Sequence, residues 1–186
     1  NRVVSPAVTM SATIVWFRHD LRLRDNPALH AAVARGLPVV PVFIREGAGE
    51  GRWVPGGASC WWLHRSLAAL DEALRERGSR LILRRGGAGE VLAALLRETK
   101  ASAVYWNRRY EPAIVSRDAE IKTALAAAGV DARSFNGALL HEPDTIQNRQ
   151  GRPFQVFSPY WRHCLTLRVE PPLKLSAATW LAPAAW

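Results

Sequence analysis

The chain has 186 residues, enough for one compact domain with a two-sided core, and 48% of them are hydrophobic, which excludes an intrinsically disordered protein. Arginine supplies nearly all the excess positive charge of the +9 balance, which favours polyanions such as nucleic acid or simply reflects a GC-rich genome that uses Arg in place of Lys. The arginines are scattered rather than gathered on one helix face, and no apolar run approaches the ~20 residues of a membrane span, so no membrane partner is expected.

Residues 1–11 are polar, lack the apolar core of a secretory leader and read as an N-terminal extension; with Met10 as a natural start, residues 1–9 are an upstream extension. Residues 13–17 (TIVWF) form a short apolar, β-branched run suited to a buried strand. Asn26-Pro27 then reads as N-cap plus first helical residue, with helix over 28–35 and Gly36 as its stop. Residues 38–44 (PVVPVFI) are the second strand, with Pro41 awkward inside it. A glycine-rich loop over 45–57 leads to a long helix over 58–77. Its Leu63, Leu67, Leu70 and Leu74 make one apolar stripe.

Gly78 ends that helix. A third strand follows over 80–83, a third helix over 90–98 (Val91, Leu92, Leu95, Leu96) and a fourth strand over 103–106. Pro112 opens a fourth helix that Gly129 closes, and 132–135 is a short fifth strand. After Gly137 the alternation stops, and the Pro- and Ala-rich residues 171–186 read as a linker. This rhythm predicts an α/β fold: a Rossmann-like, doubly wound sheet of five parallel strands with helices on both faces. Ligands of such sheets sit beyond the carboxyl ends of the strands, at the switch point. Site residues are therefore sought after Phe17, Ile44, Leu83 and Trp106.

The common chemical motifs are missing. No G-x-G-x-x-G follows the first strand, no Walker A or nucleophile elbow occurs, and the five histidines show no metal-ligand spacing. Gly86-Gly87-Ala88-Gly89 precedes a helix, as a phosphate cradle or as a plain strand-to-helix turn. Cys60 and Cys164 lie far apart and read as free thiols in a reducing cytoplasm. Trp16, Trp62 and Trp106 sit on strands or an apolar stripe, with core packing as their role. Taken alone, these residues argue for ligand binding more than for catalysis.

The end of the first strand is the informative stretch. It reads W-F-R-x-D-L-R-x-x-D-N over residues 16–26, and it resembles the opening signature of the DNA photolyase/cryptochrome family. The resemblance continues through Trp61-Trp62-Leu63-His64, through residues 105–112 (YWNRRYEP), through Phe135-Asn136-Gly137 and through residues 156–161 (VFSPYW), in order over roughly residues 12–170. It implies the family's N-terminal α/β domain over 12–137, with 138–186 as a connection toward a helical FAD-binding domain beyond this sequence. In the family that second domain carries the light-driven lyase chemistry on damaged DNA. The chain by itself is expected to hold no FAD and to repair no DNA. A cryptochrome photoreceptor fragment and a free-standing nucleotide-binding or interaction module are the alternatives.

The resemblance also implies a pocket for an antenna chromophore. Its carried-over positions are Phe17, Arg18 and His19 after the first strand, Ile44, Arg45 and Glu46 after the second, and Asn107, Arg109 and Glu111 after the fourth. A flat heterocycle needs an apolar wall, a few orienting donors and acceptors, and guanidinium planes to stack or to neutralise a phosphate. Glu111, beside Pro112, also suits a helix N-terminus with no ligand. Arg18 and Asp20 read equally as an ion pair at the interface with the helical domain. Folate-binding relatives place a carboxylate a few residues past the Glu-Pro pair, where this chain has Ala113 and Ile114. A deazaflavin or a flavin nucleotide is therefore expected ahead of methenyltetrahydrofolate.

Overall fold

A computed structural model describes residues 11–47, 55–175 and 177–180. The expected extension before residue 11 and most of the glycine-rich loop lie outside the described residues. Five strands and five α-helices alternate: β1 (Thr13–Phe17), α1 (Pro27–Ala34), β2 (Val39–Arg45), α2 (Gly57–Arg75), β3 (Ile82–Arg85), α3 (Ala88–Thr99), β4 (Ala103–Asn107), α4 (Pro112–Ala127), β5 (Asp131–Phe135) and α5 (Phe157–Cys164). The sheet is parallel throughout, in the order β3-β2-β1-β4-β5. The doubly wound architecture is thus present, with its reversal of strand order between β1 and β4.

The period of two along the strands sorts the core into two halves. Ile14 and Trp16 of β1 point to one face with Val40, Val42, Val104 and Trp106, under Leu92 and Leu95 of α3 and Ile121 and Leu125 of α4. Val15 and Phe17 point to the other with Val39, Phe43 and Tyr105, under Leu29 of α1 and Leu70 and Leu74 of α2. Both faces being covered, every residue of β1 and β4 is buried, which is why these strands read as unbroken apolar runs. Burying each leucine contributes roughly 1.5–3 kcal/mol.

Local chemistry fixes the element ends. The Asn26 side chain accepts from the Leu29 N–H at 3.1 Å and Pro27 opens α1. Gly36 ends it at φ 68, a left-handed conformation that favours glycine. Pro41 does no harm inside β2. The Val39 N–H points outward to the Thr179 carbonyl at 2.9 Å. Two residues on, the Pro41 nitrogen faces the same flank, and β3 joins β2 only from Val42. The donor that proline lacks is one the ladder never needs.

Three readings need correction. Strand β3 begins at Ile82, later than expected, because the preceding Leu81 N–H is taken by the Asp71 carboxylate at 2.8 Å. Trp62 is no core residue: it is 69% exposed, on the outer side of the stripe whose Leu70 and Leu74 are buried. Past Gly137 the chain forms α5, then returns to the core. Asp25, at φ 48, makes two hydrogen bonds with the Leu173 backbone, and Leu175 and Trp180 pack on the α1/α2 half of the core. No described helix is long and apolar enough to cross a membrane, and Cys60 and Cys164 are unpaired.

Candidate functional site

Where strand order reverses, the chains leaving β1 and β4 diverge and open a crevice. A cleft of about 560 Å³ lies there, lined among others by Arg18, His19, Arg22, Asn107, Arg109 and Glu111. Its size suits a small heterocyclic ligand.

The floor is a buried polar network built from the opening motif. The Asp20 carboxylate accepts from the Arg18 backbone N–H at 2.8 Å, from the Asn107 amide at 2.6 Å and from the Asn26 amide at 3.1 Å. Asn107 also donates to the Asn26 side chain at 2.8 Å and accepts from the Ala28 N–H at 3.1 Å. Three nearly inaccessible side chains thus satisfy one another. Gly137 closes over them: a Cβ there would lie 2.6 Å from Asn107 Cγ. Its carbonyl accepts from Arg22 at 2.7 Å, tying the end of β5 to the loop after β1.

Arg18 is 95% buried and does not pair with Asp20 through its guanidinium, which corrects the interface ion pair suggested above. The guanidinium donates to Asp118 of α4 at 2.6 Å and to the Asn107 carbonyl, and lies 4.9 Å from the centre of the Trp16 ring. Burial pushes its pKa below the usual value and Asp118 pushes back. Arg117 bridges Asp118 and Glu46. Glu46 in turn accepts from the Ala88 N–H at 3.0 Å. At the Gly86–Gly89 turn a protein carboxylate therefore takes the helix N-terminus that a phosphate would use.

The lip carries half-buried and exposed charges. Arg109 donates to Glu111 at 2.8 Å, and this bond pulls the Glu111 pKa from 4.5 to about 2, with the His19 side chain adding to the effect and burial opposing it. Glu111 is the N-cap of α4, but its side chain makes no capping bond. Arg108 and Tyr110 both reach Glu142 in the segment after β5, and Glu142 pushes the tyrosine's pKa up once burial has raised it. Arg22 donates to main-chain carbonyls, so no carboxylate among the described residues balances its charge.

Of the nine expected positions, Arg18, His19, Asn107, Arg109 and Glu111 meet at this cleft. Phe17 and Ile44 are buried in opposite halves of the core and give the cleft no wall. Arg45 is exposed at the end of β2, and Glu46 is held by Arg117; neither lines the cleft. Asp20, Arg22 and Gly137 are cleft residues whose signal lay in the quoted motifs. Asp118, in mid-helix, carried none. No cluster of metal-ligating side chains occurs among the described residues.

A doubly wound domain with a charged cleft at its switch point is the class this geometry defines. The family model for DNA photolyase matches residues 13–177. A deoxyribodipyrimidine photo-lyase of Agrobacterium fabrum is 50% identical over 149 residues, covering 80% of this chain and 30% of the relative. Cryptochrome-1 of Arabidopsis thaliana is 43% identical over 171 residues, 90% of this chain and 25% of the relative. Among solved structures, a bacterial class III photolyase from Agrobacterium tumefaciens superposes with TM-score 0.88 at 43% identity, over 100% of this chain and 38% of that one. An archaeal photolyase from Sulfolobus tokodaii, solved with two FAD molecules, gives 0.75 at 27% identity, over 90% and 37%. The chain belongs to the DNA photolyase family and has the fold of its N-terminal α/β domain. It spans well under half the length of these relatives.

Proposed function

We propose that the cleft holds a conjugated antenna chromophore, and that the domain is the light-harvesting part of a cytoplasmic, photolyase-type protein acting on damaged DNA. One observation carries this reading. A buried, fully bonded floor of Asp20, Asn26 and Asn107 supports a lip of half-buried and exposed charged groups at the switch point. A bound chromophore supplies the absorption; the protein supplies orientation. Arg22 is placed to meet an anionic group, since no described carboxylate balances it. Glu111 stays ionised and offers an acceptor to a ring N–H.

A deazaflavin or flavin nucleotide is favoured over methenyltetrahydrofolate because no carboxylate directly follows the Glu111-Pro112 pair. Ala113 offers no carboxylate and Ile114 is buried against the core. Titration with flavin mononucleotide, a deazaflavin and methenyltetrahydrofolate tests this. Tightest binding of the folate would overturn the choice of chromophore, and binding of none would overturn the site.

The partner is a helical FAD domain that meets the segment after Gly137. α5 supports this, because Phe157, Trp161 and Leu165 are 70%, 48% and 67% exposed and the two aromatic rings stack within 9° of parallel. Such a patch needs a cover. A free-standing module gains nothing from it. The cryptochrome alternative shares this domain, and the chemistry that separates the two readings lies in the helical part.

A further inference from the structure

Two buried tryptophans are not accounted for by ligand binding. Trp16 and Trp106 are each 1% exposed, with ring centres 5.9 Å apart and planes inclined at 55°. Neither indole N–H has a hydrogen-bond partner among the described residues. Burying a donor without a partner is costly, and phenylalanine would fill such space with no polar penalty. Packing alone therefore does not select indole at both positions. What indole adds is strong near-ultraviolet absorption and emission.

Placement gives that property a use. Trp16 precedes the cleft residue Arg18 by two positions and Trp106 directly precedes Asn107. At ~3.3 Å per residue the pair lies within about 3–7 Å, along the strands, of residues that line the cleft. Arg18 and Arg117 hold their guanidiniums 4.9 and 5.4 Å from the centre of the Trp16 ring, and both are pinned by Asp118. An indole held rigidly, kept from water and without a hydrogen bond to its N–H emits at the blue end of its range. The near-ultraviolet absorption bands of flavins and methenylated pterins overlap the longer-wavelength part of indole emission. Resonance transfer falls with the sixth power of distance, so the indoles nearest the cleft dominate it.

We propose that Trp16 and Trp106 form an intrinsic ultraviolet donor pair that passes excitation to a conjugated chromophore in the cleft. This rests on the cleft being the chromophore site. It extends that reading by giving the domain a second, shorter-wavelength input that needs no further cofactor.

The test uses the whole chain with flavin mononucleotide, a deazaflavin or methenyltetrahydrofolate, whichever equilibrium dialysis shows to bind. Chromophore emission is recorded while exciting in the tryptophan band. The expected result is sensitised emission, with selective loss of the blue-edge component of tryptophan emission on binding. Trp16→Phe and Trp106→Phe should each remove much of the sensitised signal, more than Trp61→Phe or Trp62→Phe, with chromophore affinity unchanged. Should the core variants fail to fold, the selective quenching in the unmodified chain still decides the matter. Bound chromophore with no sensitised emission, or with equal loss from the surface variants, overturns the donor pair and leaves the site intact. Failure of all three probes to bind overturns the site, and the donor role with it.

Discussion

Gly137→Ala tests the architecture of the cleft floor. The new Cβ would stand 2.6 Å from Asn107 Cγ and 2.9 Å from both its Cβ and its amide nitrogen. Asn107 has nowhere to go: its amide bonds Asp20 at 2.6 Å and Asn26 at 2.8 Å, and its side-chain oxygen takes the Ala28 N–H at 3.1 Å. The perturbation therefore costs an overpacking term of ~1–3 kcal/mol and at least one buried hydrogen bond of ~1 kcal/mol. The sum is about 2–4 kcal/mol, or a fall in Tm of roughly 5–15 °C for a chain of this size. Urea and thermal unfolding measure it. Gly36→Ala is the control, since a side chain there meets nothing within 4 Å and only the left-handed backbone, φ 68, is strained. That strain costs roughly 1–2 kcal/mol. A Gly137→Ala protein within ~0.5 kcal/mol of the parent, the scatter of neutral surface changes, would refute the close approach and the rigid floor.

Asn26→Ala removes the α1 cap and the bonds to Asp20 and the Arg22 carbonyl, so unfolding should show a loss of about 2–3 kcal/mol. Glu111 should titrate near pH 2 in a carboxyl-resolved NMR titration, well below its ordinary 4.5. Its folded pKa is depressed, so its contribution is complete above 4.5 and is lost as pH falls from there toward 2. The group is half exposed, so Glu111→Gln should cost under ~1 kcal/mol at neutral pH and should flatten the acid limb of the stability curve. Trp62→Ser should leave stability within ~0.5 kcal/mol of the parent, whereas Trp106→Ala should cost ~3–5 kcal/mol. Phe157→Ser with Trp161→Ser should leave the Tm of the chain unchanged and should reduce any self-association seen by sedimentation.

The two central strands were legible because helices cover both their faces, so β1 and β4 show as apolar runs with no alternation to misread. The same cover explains which site residues went astray. Within a doubly covered strand the apolar side chains point into one core half or the other, as those of Phe17 and Ile44 do. Residues at or past the strand ends turn toward the switch point: Asn107 closes β4, and Arg18, His19 and Glu111 follow their strands. The Arg18 guanidinium found Asp118, a hundred residues away on α4, which no local spacing reveals. Helix α5 left no inward-facing stripe, because Cys164 is its one buried residue. Trp62 misled for the related reason that an apolar side chain on a helix implies a core only if a neighbour covers it.

We propose that the cleft at the β1/β4 switch point binds a conjugated chromophore through its charged lip. Equilibrium titration of the chain with flavin mononucleotide, a deazaflavin and methenyltetrahydrofolate, repeated with Arg22→Ala and Arg109→Ala, tests it most directly. One-to-one binding of at least one of them is expected, tightest for a flavin or deazaflavin. Each substitution should weaken that binding by about tenfold or more, the equivalent of ~1.4 kcal/mol, while leaving the fold intact. No binding by any of the three, or binding that both substitutions leave unchanged, would contradict it.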